Sequence, residues 1–85
     1  MNKTTIKLYS THSCPFCIME KQWLDQNKVP HQVVYVDQDR EEALKMVQST
    51  GQMGVPVTEL VSENGEKEFI IGFDRKTLAD RIGIK

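Results

Sequence analysis

Two cysteines, Cys14 and Cys17, are the side chains of this chain with the most evident capacity for chemistry. They lie three positions apart in the segment SCPFC, and they are the only cysteines among 85 residues. In a helix, residues at this spacing are neighbours on one face. Three chemistries use two sulfurs so close together: metal binding, a structural disulfide and reversible thiol–disulfide exchange.

The histidines make a metal site a poor fit. A zinc site needs four ligands, so His12 and His31 would have to complete the set. The spacing of a zinc finger is absent, and His31 begins the second predicted strand, at the end away from the cysteines. We therefore expect no metal. His12, two residues before Cys14, could assist the Cys14 thiolate electrostatically or could be a solvated loop residue.

Length and composition indicate one domain, residues 1–85, with a modest core. The eleven basic and twelve acidic side chains are scattered, without the basic stripe that nucleic acid requires. No segment approaches the roughly 20 apolar residues of a membrane span, and the N-terminus lacks the apolar core of a secretory signal. We therefore expect a cytoplasmic protein, in a reducing compartment that disfavours a structural disulfide.

Apolar periodicity and turn residues predict the element order βαβαββα. Strands are predicted over residues 5–9, 31–36 and 57–61, with a fourth that follows a turn at Asn64-Gly65 and ends at residue 71. Helices are predicted over residues 14–28, 40–50 and about 74–82. The first helix is supported by Pro15 at its first position and by an apolar stripe of Phe16, Met19 and Trp23, with Leu24 beside it. The second is supported by a cap at Asp37 or Asp39, by apolar residues at Ala43, Leu44 and Val47, and by Gly51 after its end. In the last helix, Leu78 and Ile82 lie at helical spacing.

This order implies an α/β fold. The initial βαβ crossover makes the first two strands parallel, and the hairpin makes the last two antiparallel. The result is a four-stranded mixed sheet flanked by three helices. Because the cysteine pair directly follows the first strand of a βαβ unit, the redox interpretation is the one that its context favours.

Essentially the whole chain resembles a glutaredoxin, a member of the thioredoxin-fold superfamily. The resemblance rests on three segments in the expected order: SCPFC after the first strand, GVPV before the third, and IIGFDR after the fourth. It implies a thioredoxin-like fold and a dithiol oxidoreductase. It also implies no tightly bound cofactor, with glutathione as a possible co-substrate.

The chain departs from the usual glutaredoxin pattern at four places. Phe16 replaces the usual tyrosine, and Thr11 stands where these proteins usually place a lysine that meets a glutathione carboxylate. Gly54 replaces a threonine, and Gly72-Phe73 replaces a Gly-Gly pair. The Gly-Phe pair is similar to NrdH-type redoxins, which supply electrons to ribonucleotide reductase. These departures weaken the expectation of glutathione binding and leave that of the fold intact.

The two cysteines are expected to have different roles. Cys14 lies at the start of a helix, where free backbone N–H groups and the positive end of the helix dipole favour an anion. Since only the thiolate attacks a disulfide, Cys14 is the predicted nucleophile. Cys17 lies one turn further into the helix, and it is the predicted resolving cysteine, which displaces the bound substrate.

The resemblance implies a groove that binds the substrate or glutathione beside Cys14. In it Val55-Pro56 would have a cis peptide bond that turns the Val55 backbone towards a bound peptide. Pro15 and Phe16 could tune the redox chemistry, or Pro15 could only start the helix and Phe16 could only be a hydrophobic staple. Asp74 could only cap the last helix. The predicted binding residues are Thr11, Phe16, Met53, Val55, Pro56, Gly72, Phe73 and Asp74.

We expect a monomeric dithiol oxidoreductase that reduces protein or glutathione mixed disulfides. Its partners would be disulfide-containing proteins and either glutathione or a flavoprotein reductase as electron donor. One alternative is an NrdH-like electron donor to ribonucleotide reductase, fed by thioredoxin reductase. A second alternative is a glutaredoxin module that holds a [2Fe–2S] cluster between two subunits. The presence of Cys17 and of Thr11 in place of lysine argues against this module. A third alternative is a catalytically idle adaptor.

Overall fold

A computed structural model describes residues 4–84 of the chain. Its elements follow the predicted order βαβαββα. The strands are β1 (Thr5–Ser10), β2 (Gln32–Tyr35), β3 (Val57–Val61) and β4 (Lys67–Ile71), and the helices are α1 (Pro15–Gln26), α2 (Arg40–Thr50) and α3 (Arg75–Ile82). The predicted four-stranded sheet and three helices are therefore confirmed.

The four strands form one mixed sheet in the order β2-β1-β3-β4. β1 and β2 are parallel, as the βαβ crossover requires, and β3 is antiparallel to both of its neighbours. Across the sheet, Thr58 of β3 pairs with Leu8 of β1 on one side and with Ile70 of β4 on the other. Paired residues point to the same face of a sheet, so these three side chains share one face.

Two apolar clusters cover the two faces of this sheet. The first joins β1, β3, β4 and α3, with α1 packed against it, and contains Ile6, Leu60, Ile70 and Leu78 with the partly buried Trp23, Val29, Phe73 and Ile82. The second joins the opposite face to α2 and contains Tyr9, Val34, Met46 and Val57 with Val36, Val55 and Phe69. Alternation along the strands supplies both clusters, because successive side chains point to opposite faces.

The buried face of α1 differs from the predicted one. Phe16 and Met19 are 59% and 48% exposed, and the buried side chains are Cys17, Glu20 and Leu24. The prediction is thus wrong for Phe16 and Met19, whereas Leu24 is buried as expected and Trp23 packs against the first cluster. The buried stripe is displaced by about one residue, or about 100° of rotation around the helix. Cys17 and Leu24 lie two turns apart and both face the sheet, whereas apolar residues on the other side of α1 made the sequence pattern ambiguous.

The other helices need smaller corrections. In α2, Leu44 is 54% exposed and Met46 is the buried side chain, because Met46 packs against the sheet with the second cluster. α1 ends two residues before the prediction, because Lys28 has a left-handed φ of 57°. Asp39, rather than Asp37, caps α2 by accepting a hydrogen bond from the N–H of Glu42. None of the helices within residues 4–84 is both long and apolar enough to cross a membrane.

Candidate active site

Cys14 is the N-cap residue of α1. The loop after β1 brings it there, and Pro15 occupies the first helical turn, where its missing N–H costs no hydrogen bond. The Cys14 sulfur accepts a hydrogen bond from the backbone N–H of Cys17 over 3.3 Å. The side chain is partly exposed. An amide donor aimed at an accessible sulfur stabilises an anion on that sulfur.

Cys17 lies in a different environment one turn further along α1. Its side chain is 1% exposed, and this burial raises the pKa of its thiol to about 11, from 9.0 for an ordinary cysteine. A separate interaction between the two cysteine side chains also raises the pKa of the Cys17 thiol, whereas interactions with the Ser10 side chain and the Thr11 backbone lower it. Cys17 therefore keeps its proton at neutral pH, as a buried thiol with restricted reactivity.

The segment before β3 lies directly beside Cys14. The Val55–Pro56 peptide bond is cis, which confirms the expectation drawn from the resemblance. The Cys14 thiol can donate a hydrogen bond to the Val55 carbonyl over 3.8 Å. The N–H of Gly72 donates to the Pro56 carbonyl over 2.8 Å. Three distant parts of the sequence are thus joined around the Cys14 sulfur.

The remaining predicted groove residues are placed as follows. Phe16 and Met53 are 59% and 80% exposed, and Thr11 is partly buried directly after β1. Phe73 is partly buried, and its ring meets the Trp23 ring edge-on at a centroid distance of 6.0 Å. The exposed Phe16 ring and Met53 thioether offer an apolar surface, while Phe73 helps to attach the end of β4 to α1. Contact of these residues with a substrate stays a prediction.

Asp74 caps α3, which is one of the two roles expected for it; the other is contact with a substrate. Its carboxylate accepts hydrogen bonds from the backbone N–H of Thr77 over 3.2 Å and from the Thr77 hydroxyl over 2.7 Å. These two bonds lower the pKa of Asp74. The capping interaction occupies both carboxylate oxygens, so a contact with a substrate amine would have to share them.

His12 is held in place by two neighbours. Its ring stacks on Tyr35 at a centroid distance of 3.9 Å, and its Nδ1 lies 3.2 Å from Oδ2 of Asp37. The backbone N–H of His12 donates to the same carboxylate oxygen over 3.3 Å. The loop that leads to Cys14 is therefore tied to the end of β2. Within residues 4–84, no group of three His, Cys, Asp or Glu side chains could hold a metal ion.

The sequence interpretation missed Glu20, which is fully buried three residues after Cys17. Its Oε2 accepts a hydrogen bond from the Thr58 hydroxyl, and its Oε1 has no hydrogen-bond partner. Burial raises the pKa of this carboxyl to about 7, and the bond from Thr58 opposes that shift. The only signal in the sequence is its three-residue spacing from Cys17, which places both side chains on one face of the helix.

Gly72 has a backbone conformation that other residues adopt at a cost. Its φ is +81°, and a Cβ built on it would meet no atom within 4 Å. We expect Gly72→Ala to lower the free energy of unfolding by about 1–2 kcal/mol through backbone strain alone. Urea denaturation measures the change. Gly54→Ala is the matched control, since its Cβ also meets no atom and its φ lies outside the left-handed region. Equal losses in the two variants would contradict the explanation.

Comparisons with known proteins agree with this geometry. The sequence matches the family model described as Glutaredoxin over residues 6–60. A glutaredoxin-like 8.6 kDa protein in the rubredoxin operon of Clostridium pasteurianum is 34% identical over 70 residues, which cover 82% of this chain and 87% of that relative.

Solved structures show the same fold. The glutaredoxin of Archaeoglobus fulgidus superposes with a TM-score of 0.74 at 19% identity, over 92% of this chain and 85% of its own. A buckwheat glutaredoxin in complex with glutathione superposes with a TM-score of 0.66 at 25% identity, over 96% and 73% of the two chains. Since the family model covers more than half of the sequence and the relative covers more than two thirds, this chain belongs to the glutaredoxin family of thiol redox proteins.

Proposed function

We propose that this protein is a dithiol disulfide reductase in which Cys14 is the nucleophile and Cys17 the resolving residue. The observation that supports this most strongly is the contrast between the two sulfurs. Cys14 is accessible and accepts an amide hydrogen bond at the start of α1, whereas Cys17 is buried and its thiol has a pKa of about 11. One sulfur is therefore suited to attack from solution, and the other to attack only within the protein.

The reaction proceeds in two exchange steps. The Cys14 thiolate attacks the substrate disulfide, forms a mixed disulfide and releases the first thiol. Cys17 then attacks the Cys14 sulfur, closes the intramolecular disulfide and releases the reduced substrate. The three-residue spacing lets the intramolecular Cys14–Cys17 disulfide close within one helical turn. An external donor must then reduce the Cys14–Cys17 disulfide to complete the cycle.

The substrate groove is proposed to lie between α1 and the segment before β3. Extended backbone of a substrate can pair with the Val55 peptide group, which lies beside the Cys14 sulfur. The exposed Phe16 and Met53 side chains would cover the apolar part of the substrate. Thr11, Pro56, Gly72, Phe73 and Asp74 complete the proposed binding set. The substrates are protein or glutathione mixed disulfides.

A coupled reduction assay tests this function. Reduction of a mixed disulfide is followed with glutathione and glutathione reductase, and in parallel with thioredoxin reductase. Turnover in either system supports a dithiol reductase, and the faster system identifies the electron donor. Turnover with neither donor would contradict the proposal and favour an idle adaptor.

An NrdH-like donor to ribonucleotide reductase is the second candidate function. It is favoured by the exposed apolar surface of Phe16 and Met53, which suits a protein partner better than a charged tripeptide. The Gly72-Phe73 pair, similar to that of NrdH-type redoxins, agrees with it. Faster turnover with thioredoxin reductase than with glutathione would support this candidate.

Restoring the usual lysine tests the proposed glutathione position. We expect Thr11→Lys to lower the KM for glutathione by about fivefold, because an exposed ion pair with a glutathione carboxylate contributes up to about 1 kcal/mol. Steady-state kinetics in the glutathione-coupled assay measure the change. Gln48→Lys on the exposed side of α2 is the matched control, with the same added charge on a different element. An unchanged KM in Thr11→Lys would place the glutathione carboxylates elsewhere.

A further inference from the structure

Glu20 is a buried acid that has no role in the two exchange steps described above. Its side chain is 0% exposed, and its Oε1 is the only buried side-chain nitrogen or oxygen without a hydrogen-bond partner within residues 4–84. A buried polar atom without a partner costs about 1–3 kcal/mol. An apolar side chain at this position would avoid that cost, so the carboxyl is a candidate for a function.

The position of Glu20 relates it to Cys17. Residues three apart on a helix have Cβ atoms about 5–6 Å apart. Long helical side chains also lean back towards the N-terminus of the helix, over the preceding turn. The Glu20 carboxyl is therefore carried towards the turn that holds Cys17.

The sheet beneath α1 brings the two side chains over one patch. Thr58, which donates to Glu20, pairs with Leu8 of β1. Ser10, whose side chain lowers the pKa of Cys17, lies two residues further along β1 and so points to the same face as Leu8. Cys17 and Glu20 thus cover neighbouring positions of one closed surface.

Charged groups are scarce around this patch. The elements packed there contribute Leu8, Thr58 and Ile70 from the sheet and Leu78 from α3, all of which are uncharged. Glu68 is on the same face but lies at the far end of β4, where it pairs with Arg81. Lys21 and Asp25 of α1 are exposed and pair with each other. Cys17 is the titratable group next to Glu20 along the buried face of α1.

The second exchange step needs a proton acceptor at this place. Cys17 is 1% exposed and keeps its proton until it attacks, so bulk solvent has little access to that proton. A general base works best when its own pKa lies near the working pH. Glu20, with a pKa of about 7, meets this condition.

We propose that Glu20 accepts the proton that Cys17 releases as it resolves the mixed disulfide. The Cys17 S–H bond breaks and its proton passes to Glu20 Oε1 through one intervening water, because no hydrogen bond joins the two side chains directly. The Cys17 sulfur forms a bond to the Cys14 sulfur, the mixed disulfide bond breaks, and the substrate sulfur leaves as a thiolate with the electron pair. Glu20 later returns the proton to solvent. This inference rests on the proposed function.

A single-turnover experiment separates the two exchange steps. Reduced protein is mixed in a stopped-flow instrument with a symmetric aromatic disulfide whose thiol product absorbs visible light. The attack of Cys14 releases the first aromatic thiol, and the attack of Cys17 releases the second. In the wild-type protein, the rate of the second release should rise through an inflection near pH 7.

The Glu20→Gln variant removes the acid and keeps an oxygen that can accept the bond from Thr58. We expect the inflection to disappear and the second release to slow by about 100-fold above pH 7, the lower range of general-base contributions. The first release should change far less. An inflection that survives in this variant, or equal slowing of both releases, would overturn the inference in favour of a structural role.

Thr58→Val provides a second variant in case Glu20→Gln does not fold. It keeps the acid and removes the hydroxyl that lowers the pKa of Glu20. The inflection of the second release should therefore move to higher pH, and an unmoved inflection would count against Glu20. Absence of the first release in the wild-type protein would instead contradict the proposed function itself.

Discussion

Cys14→Ser should abolish disulfide reduction, while Cys17→Ser should stop the reaction after its first step. A serine hydroxyl at position 14 remains protonated and cannot attack a disulfide, so turnover should fall to the uncatalysed background. With Cys17 replaced and no glutathione added, Cys14 still attacks, but no second thiol is present to displace the substrate. Mass spectrometry under non-reducing conditions should find one substrate molecule bound per Cys17→Ser protein.

The Cys14→Ser and Cys17→Ser variants serve as controls for each other. Both variants remove one thiol and neither can form the intramolecular disulfide, so only the order of attack distinguishes them. Activity that survives in Cys14→Ser, with a trapped substrate at Cys17, would reverse the two assigned roles.

Glu20 should make the protein less stable as the pH rises from about 4.5 to about 7. The pKa of this carboxyl is raised from 4.5 in an ordinary glutamate to about 7 in the folded protein. Below pH 4.5 both the folded and unfolded states hold the proton, so the folded state carries no penalty. As the pH rises, the unfolded state releases its proton first, and stability falls until the folded state also ionises. The total loss should be about 3 kcal/mol.

The Glu20→Gln variant isolates this contribution. Other carboxyls, such as Asp25 and Glu42, have pKa values lowered by lysine partners and affect stability in the acidic range. The difference in unfolding free energy between wild type and variant, measured in urea from pH 4 to pH 8, cancels their effect. The variant should gain about 3 kcal/mol relative to wild type across this range. A difference that does not change with pH would show that Glu20 ionises normally.

The sequence predicted the elements well, because their signals are local. Alternation marked the strands, Pro15 and Asp74 marked helix starts, and Asn64-Gly65 marked the hairpin. The parallel and antiparallel pairings then follow from the connections between the strands.

The buried face of α1 was not predictable from local signals. Apolar residues lie on both sides of the helix, so periodicity could not decide whether Phe16 or Cys17 faces the sheet. The burial of Glu20 depends on Thr58, which is 38 residues away in the sequence. No pattern within the helix encodes such a tertiary contact. Similarly, the cis Val55–Pro56 bond was expected from the family resemblance and not from the dipeptide.

The most direct test of the account is selective alkylation of the reduced protein. Iodoacetamide is added at pH 7 in less than molar amount, and the modified residue is located by mass spectrometry of peptides. Since the raised pKa of Cys17 gives it about 100-fold less thiolate than an ordinary cysteine, the label should be found on Cys14. Cys14 should also react faster than a free cysteine in solution. Label on Cys17, or a Cys14 no more reactive than free cysteine, would contradict the assignment of Cys14 as the nucleophile at the start of α1.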